Sequence, residues 1–324
     1  MKRSVLKKIK THRKEVINGA AIGTDCAVLS FGEGYDIVLS TTPVTAPAED
    51  IGTYAIPMAL NNIAAAGAEP VGVMLSILLP EQTEETTLQQ MMEQAQDICR
   101  RCGAEIIGGH TEVTPTVGEP IITVTGVGKR DSVQAGVLRG IEADQDIVIS
   151  KWIGLEGTIR LARGRKDELC TRYPVRMVEE AAAYDRYLSI IPEAATAMKS
   201  GVCGMHDISR GGVFGALWEL SERAGVGLEI DLKKIPVKQE TIEICEFFGL
   251  NPYELLSGGC LIMTAMDGSA LVEALEREDI PAVVVGRTTK SNDRVIYNED
   301  EKRYLDRPKT DQIYCLQETD QETK

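Results

Sequence analysis

Residues 50–79 read DIGTYAIPMALNNIAAAGAEPVGVMLSILL, and this stretch decides the fold class. Asp50 is placed to cap a helix running to about Ala66. Pro57 must sit early in that helix or kink it. Gly67 is a natural C-terminal stop, and Pro70 cannot continue the helix. The next residues, Val71 to Leu79, are apolar on both faces, the mark of a central, covered strand. Downstream, a helix starting at Thr83 or Thr87 carries Leu88, Met91, Met92, Ala95, Ile98, Cys99 and Cys102 at i, i+3, i+4, i+7 spacing, and Gly103 ends it. Ala104 to Ile107 predicts a strand running into a turn at Gly108-Gly109-His110-Thr111, and Ile121 to Val127 a further strand. Upstream, Asp36 to Thr41 (DIVLST) is β-branched and reads as a strand. Strands alternating with helices in this way describe a mixed α/β architecture.

The pattern recurs after a polar, weakly periodic stretch from Lys129 to Gln145, which holds Gly136 and Gly140 and marks a domain boundary. Strands are expected at Asp146–Ser150, Val202–Asp207, Gly227–Asp231, Cys260–Ala265 and Ala282–Gly286. Helices are expected at Gly157–Arg163, Val175–Lys199, Val213–Ala224, Gln239–Phe248 and Ser269–Glu278. The 324 residues fit two domains at about 150 residues each. The reading is a basic arm at 1–19, domains at 20–130 and 141–290, and an extension at 291–324 whose acidic end, from Gln317, is loose.

Composition narrows the partners. The chain holds 35 Lys and Arg against 49 Asp and Glu, a formal charge of −14. That balance disfavours nucleic acid, which needs clustered cations. No apolar run approaches the roughly 20 residues of a membrane span. The first fourteen residues run the other way, with Lys2, Arg3, Lys7, Lys8, Lys10, Arg13 and Lys14. No apolar segment follows them, so a secretory signal is not expected. They read as a solvated end or as an arm over an anionic ligand. The eight cysteines read as reduced cytoplasmic thiols. Cys99-x-x-Cys102 lies on the apolar stripe of its helix and reads as core packing.

Chemistry is expected where glycine-rich backbone meets carboxylates: Gly23-Thr24-Asp25, Asp50-Ile51-Gly52, Asn61-Asn62, Gly108-Gly109-His110-Thr111 and His206-Asp207-Ile208-Ser209-Arg210-Gly211-Gly212. Glycines let backbone N–H groups approach a phosphate, and a helix N-terminus adds a favourable dipole. A carboxylate there repels phosphate unless Mg²⁺ bridges the two.

Taken in order, these segments resemble the AIR synthase superfamily. That group includes aminoimidazole ribonucleotide synthetase, thiamine-monophosphate kinase, selenophosphate synthetase and HypE, with HypE the best match. The resemblance rests on GTDCAV (23–28), LSTTPV (39–44), residues 50–70, IIGGHTEV (106–113), VTGVG (124–128), MHDISRGGVFGALWELSERAGVGL (205–228), residues 235–259 and VGR (285–287). It implies two α/β domains: an N-terminal ATP-binding domain whose sheet joins a second copy in a homodimeric barrel, and a C-terminal α/β sandwich. It also implies an ATP site involving Asp25, Asp50, Gly52, Asn61, Asn62, Gly108, Gly109, His110 and Thr111. The γ-phosphate would activate an amide or carboxylate oxygen of a small molecule or a protein tail, as in hydrogenase maturation.

The chain departs from the family's Mg²⁺-binding pattern. Asp25 is kept, but Pro43, Asn62 and His110 stand where aspartates are expected. Proline offers no side-chain ligand, asparagine offers a neutral carbonyl oxygen, and a histidine nitrogen suits Zn or Mn better than Mg. Asp25 and His110 remain as candidate metal ligands, with Glu49, Asp50 and Glu112 nearby in sequence. The family's C-terminal Pro-Arg-Ile-Cys tail is replaced by Tyr314-Cys315-Leu316, and Cys315 reads as a buried or idle thiol. Asp207 matches the family's D-x-T-R-G-G position, as a ligand or as a cap of the following helix. Three readings stand: an ATP-dependent HypE-like enzyme, a degenerate member that binds a nucleotide, another anion or a partner protein without turnover, and an active site retuned to another metal by His110.

Overall fold

The computed structural model describes residues 16–18, 26–30, 32, 34–132, 138 and 140–316. The chain forms two compact units, residues 1–136 and 137–324. The basic arm before residue 16, Asp25 and the tail from Gln317 lie outside the described residues.

The first unit carries strands β1 (Val16–Asn18), β2 (Ala27–Ser30), β3 (Tyr35–Thr45), β4 (Glu69–Leu79), β5 (Glu105–Val113) and β6 (Ile121–Asp131) in the spatial order β1-β2-β3-β6-β4-β5. Among the described residues of this unit, only β4 and β5 pair in parallel, joined by helix α2 (Glu85–Arg101). Helix α1 (Ile51–Ala65) connects β3 to β4. Burial alternates along β3, with Asp36, Val38, Ser40 and Val44 on the covered face and Tyr35, Ile37, Thr41 and Pro43 on the open one. That two-residue period is the signature of a strand covered on one side. Within the unit, Val38, Val44, Val124, Ile122, Leu75 and Ile77 are buried, each aliphatic side chain contributing about 1.5–3 kcal/mol by leaving water.

Two glycines set how closely the layers approach. A Cβ on Gly128 of β6 would lie 2.3 Å from the Ile63 side chain of α1. A Cβ on Gly52 would lie 2.6 Å from the Met91 carbonyl oxygen of α2.

Three elements differ from the sequence reading. Gly108–Thr111 is no turn; β5 runs through it as an edge strand. The glycine at 109 is explained by close pairing, since a Cβ there would lie 2.1 Å from the Leu75 carbonyl oxygen. Strand β3 continues through Pro43, which pairs with Thr123 of β6, while β2 pairs with Asp36–Leu39. The span 175–199 is two helices rather than one.

The second unit holds strands β7 (Asp146–Ser150), β8 (Val202–Ile208), β9 (Gly227–Asp231), β10 (Cys260–Ala265), β11 (Ala282–Thr289), β12 (Arg294–Asn298) and β13 (Glu301–Tyr304), ordered β13-β12-β9-β11-β7-β10-β8. Its helices are α3 (Leu155–Gly164), α4 (Lys166–Leu169), α5 (Val175–Ala182), α6 (Ile191–Lys199), α7 (Gly212–Ala224), α8 (Gln239–Phe248) and α9 (Gly268–Glu276). Ile147, Ile149, Ile262, Ile230, Val213 and Leu217 form part of its core. The sheet therefore runs past residue 290 and includes the start of the expected extension. Between α5 and α6 the chain is a short 3₁₀ turn, Tyr184–Tyr187. The Tyr187 and Ser189 carbonyls each accept a hydrogen bond from the buried Lys151 Nζ at 2.7 Å, and Pro192 starts the next helix because it has no N–H to continue the last one.

Replacing a helical glycine by alanine ordinarily stabilises by about 0.5–1 kcal/mol. Gly52→Ala is expected to do the opposite, costing about 1–3 kcal/mol through overpacking against Met91 and Gln94. Urea denaturation of the variant checks the sign.

Candidate functional site

The register of the first sheet aligns the sequence-derived candidates. Pro43 pairs with Thr123, Thr123 with Ser76, and Ser76 with His110. These four residues form one row across β3, β6, β4 and β5 on the open face. Two of the positions where aspartates are expected, 43 and 110, are thus the two ends of that row. Three strand spacings separate them, about 14 Å, too far for both side chains to touch one ion. One row along, Thr41 and Thr125 share a hydroxyl hydrogen bond of 3.0 Å.

His110 is exposed, with Nε2 3.9 Å from a Glu112 carboxylate oxygen. Gly108 has open space where a Cβ would project, so its backbone is accessible to a ligand. Thr111 is exposed on the same edge strand.

Asn62 lies on the covered side of the sheet. Its amide donates to the Ser40 hydroxyl at 2.8 Å and the Thr42 hydroxyl at 3.3 Å, and its backbone carbonyl accepts from the Cys26 thiol at 3.1 Å. The sheet itself therefore stands between Asn62 and the row containing His110. Asn61 is buried. Asp50 occupies the N-cap position of α1, yet its carboxylate does not cap the helix, a correction to the sequence reading. Gly52 faces α2, so packing accounts for the glycine there. Asp25 lies outside the described residues, and no geometry is assigned to it.

Among the described residues, no group of three or more His, Cys, Asp and Glu side chains is arranged to hold a metal ion. The described residues at 43, 62 and 110 do not fit Mg²⁺, which requires octahedral oxygen ligands and usually a carboxylate.

In the second unit, β8 ends in the turn Ser209–Gly212, and α7 begins there. Gly211 and Gly212 both adopt left-handed backbone, φ 82° and 63°. A Cβ on Gly212 would also lie 2.4 Å from the Tyr253 carbonyl oxygen, so two independent constraints demand glycine. His206 is buried, its Nε2 3.6 Å from a Glu219 carboxylate oxygen of α7, and Asp207 beside it is buried as well.

A buried group beneath this turn escaped the sequence reading. Glu156 is 1% exposed and pairs with Arg160 at 2.7 Å. Its second carboxylate oxygen has no hydrogen-bond partner among the described residues. That oxygen fills the space a side chain at Gly258 would need. Burial pushes the Glu156 carboxyl above the ordinary carboxylate range, against the opposing pull of Arg160 and Arg210. The one sequence signal was the Glu156…Arg160 i, i+4 pair inside an apolar helix. Lys151 and Glu193 form a second buried ion pair at 2.5 Å. As for the C-x-x-C pair, burial pushes the Cys99 thiol up to about 12, with Cys102 adding to it. A thiol that stays protonated suits core packing rather than metal or redox chemistry. Cys315 is exposed rather than buried.

The family model for AIR synthase related protein, N-terminal domain, matches residues 23–129, and that for its C-terminal domain matches residues 143–298. The chain belongs to the AIR synthase related family. Carbamoyl dehydratase HypE of Cupriavidus necator is 31% identical over 268 residues, covering 78% of this chain and 72% of that protein. The crystal structure of a HypE–HypF complex superposes with a TM-score of 0.72 at 23% identity, covering 89% of this chain and 94% of that one. A HypE crystallised in complex with ATP superposes with a TM-score of 0.69 at 21% identity, covering 91% of each chain. The AIR synthase fold and the HypE likeness expected from the motifs both hold. Among the described residues, no helix is long and apolar enough to cross a membrane.

The Glu156 carboxyl binds its proton more tightly in the folded than in the unfolded chain. Its favourable contribution is complete below the unfolded value, about 4.3, and is lost as pH rises through the raised folded value. The stability penalty of Glu156→Gln is therefore expected to be smaller at pH 7 than at pH 4.5. Paired denaturant titrations at the two pH values check this.

Proposed function

We propose that this protein is a HypE-like nucleotide-binding member of its family, serving hydrogenase or related metallocofactor maturation, that has lost most of its grip on Mg²⁺. The observation that carries the reading is the state of the three altered positions. Pro43 offers no side-chain ligand atom, Asn62 is held by its amide N–H groups against Ser40 and Thr42, and His110 lies on the other face of the sheet. With Pro43 and His110 rather than carboxylates on it, the open face of the sheet is less hostile to a phosphate without a bridging metal. The HypE solved with ATP supports ATP as the nucleotide, and the HypE–HypF complex supports a protein partner. A cytoplasmic location accords with eight thiols and no disulfide in the reading of the sequence.

A second reading is an active enzyme that phosphorylates an amide or carboxylate oxygen. The open backbone at Gly108 and the retained R-G-G turn favour it. In that case catalysis rests on positioning and on N–H donors aimed at the transferred group, with Lys residues of the basic arm supplying charge.

Isothermal titration separates the two. ATP is expected to bind with an affinity that changes by less than about tenfold on adding Mg²⁺. Low-micromolar, strictly Mg²⁺-dependent binding by the wild-type chain would overturn the metal-poor reading. Absence of binding by any nucleotide would overturn both.

The open face of the first sheet supports the homodimer. Tyr35, Val71, Met74 and Ile107 are 62%, 44%, 48% and 55% exposed, which is more apolar surface than a sheet face in water ordinarily carries. We propose that a second copy covers it. Light scattering is expected to give a dimer mass, and Ile37→Asp/Met74→Asp to give a monomer.

A further inference from the structure

Beyond β13 the chain turns back over the head of α7. The Leu305 N–H donates to the Arg294 carbonyl at 2.8 Å, and residues 306–310 then cross the surface exposed. Pro308 rests above Gly215, a position where a side chain would meet it. The crossing ends at Asp311, which is only 4% exposed. One Asp311 carboxylate oxygen accepts the Gly211 N–H at 2.7 Å. The other accepts the Leu256 N–H at 3.2 Å and the Ile313 N–H at 3.0 Å. Gln312 adds two bonds, accepting from the Asn251 N–H at 3.3 Å and donating to Glu254 at 3.2 Å. Beneath the crossing remains a cavity of about 210 Å³, lined by Gly211, Phe214, Gly215, Asn251 and Arg303 among others.

This arrangement is more than a chain resting on a surface. A carboxylate removed from water is costly unless its lone pairs are filled, and here three backbone N–H groups fill them. Burial still raises the Asp311 carboxyl, with those hydrogen bonds pulling the other way. The dependence is mutual: without Asp311, the Gly211 and Leu256 N–H groups would become unpaired donors in a poorly hydrated place, at about 1–3 kcal/mol each. Gly211 is the left-handed residue that starts the R-G-G turn into α7, and Leu256 follows the segment whose carbonyl at Tyr253 packs on Gly212. One side chain therefore ties together the turn, the 251–257 segment and the C-terminal strap.

We propose that residues 305–314 are a strap latched by Asp311, and that Asp311 is the positioning residue that holds the R-G-G turn in its left-handed conformation. The proposal does not depend on what the turn binds. Amide hydrogen exchange resolved residue by residue tests it on the full chain. In Asp311→Ala, the Gly211 and Leu256 amides are expected to exchange about tenfold faster or more, while those of Ile147–Ile149 in the sheet keep their rates. Asp311→Asn, which retains one acceptor oxygen, is expected to fall between. Trypsin cleavage after Lys309 is expected to accelerate in the same order. If Asp311→Ala does not fold, Gln312→Ala decides by the same two readouts, since it loosens the strap without removing the carboxylate. Unchanged exchange at Gly211 and Leu256, or acceleration spread evenly through Ile147–Ile149, overturns the proposal.

Discussion

The antiparallel register of β6 between β3 and β4 is the constraint on which the first unit depends. It places Val44, Ile122 and Ile77 on one face and Pro43, Thr123 and Ser76 on the other. A slip of one residue would exchange these sets and turn the core outward. The same register sends His110 to the end of the open row and leaves Asn62 on the far side. The sheet therefore stands between residues 62 and 110.

The second unit solves a different problem. It buries Glu156 with Arg160, Lys151 with Glu193, and Asp311 on backbone amides. Breaking such a group leaves its partner charged and desolvated, so each pair specifies one arrangement of the loops around it even where its net stabilisation is small. Lys151 organises the turn between α5 and α6, and Asp311 organises the turn before α7. The first turn also buries Tyr184, Leu188 and Ile190, whereas Ser209–Gly212 has no apolar side chain and depends on the polar latch for its shape.

Much of the fold was legible along the chain. Cys260–Ala265, Gly227–Asp231, Asp146–Ser150 and Gln239–Phe248 have the bounds their periodicity and flanking glycines predict. The errors have a common cause. Gly108-Gly109 looked like a turn because paired glycines usually are one, yet the close approach to Leu75 makes the same demand for a residue without a side chain. The span 175–199 looked like one helix because nothing local shows that Lys151, more than thirty residues away in sequence, claims two of its carbonyls. Among the candidate site residues, Gly52 and Gly212 carried a correct signal, the need for glycine, whose reason is packing.

By itself, the sequence determined the family, the alternation of strands and helices, and the absence of a carboxylate side chain at positions 43, 62 and 110, because these are properties of residue type and short-range order. Only the tertiary structure decided which of those positions share a face, that Asn62 is tied to Ser40 and Thr42, and that Asp311 reaches back one hundred residues to Gly211. Strand register and long-range hydrogen bonds depend on which segments meet in space, and no local pattern along the chain encodes that meeting.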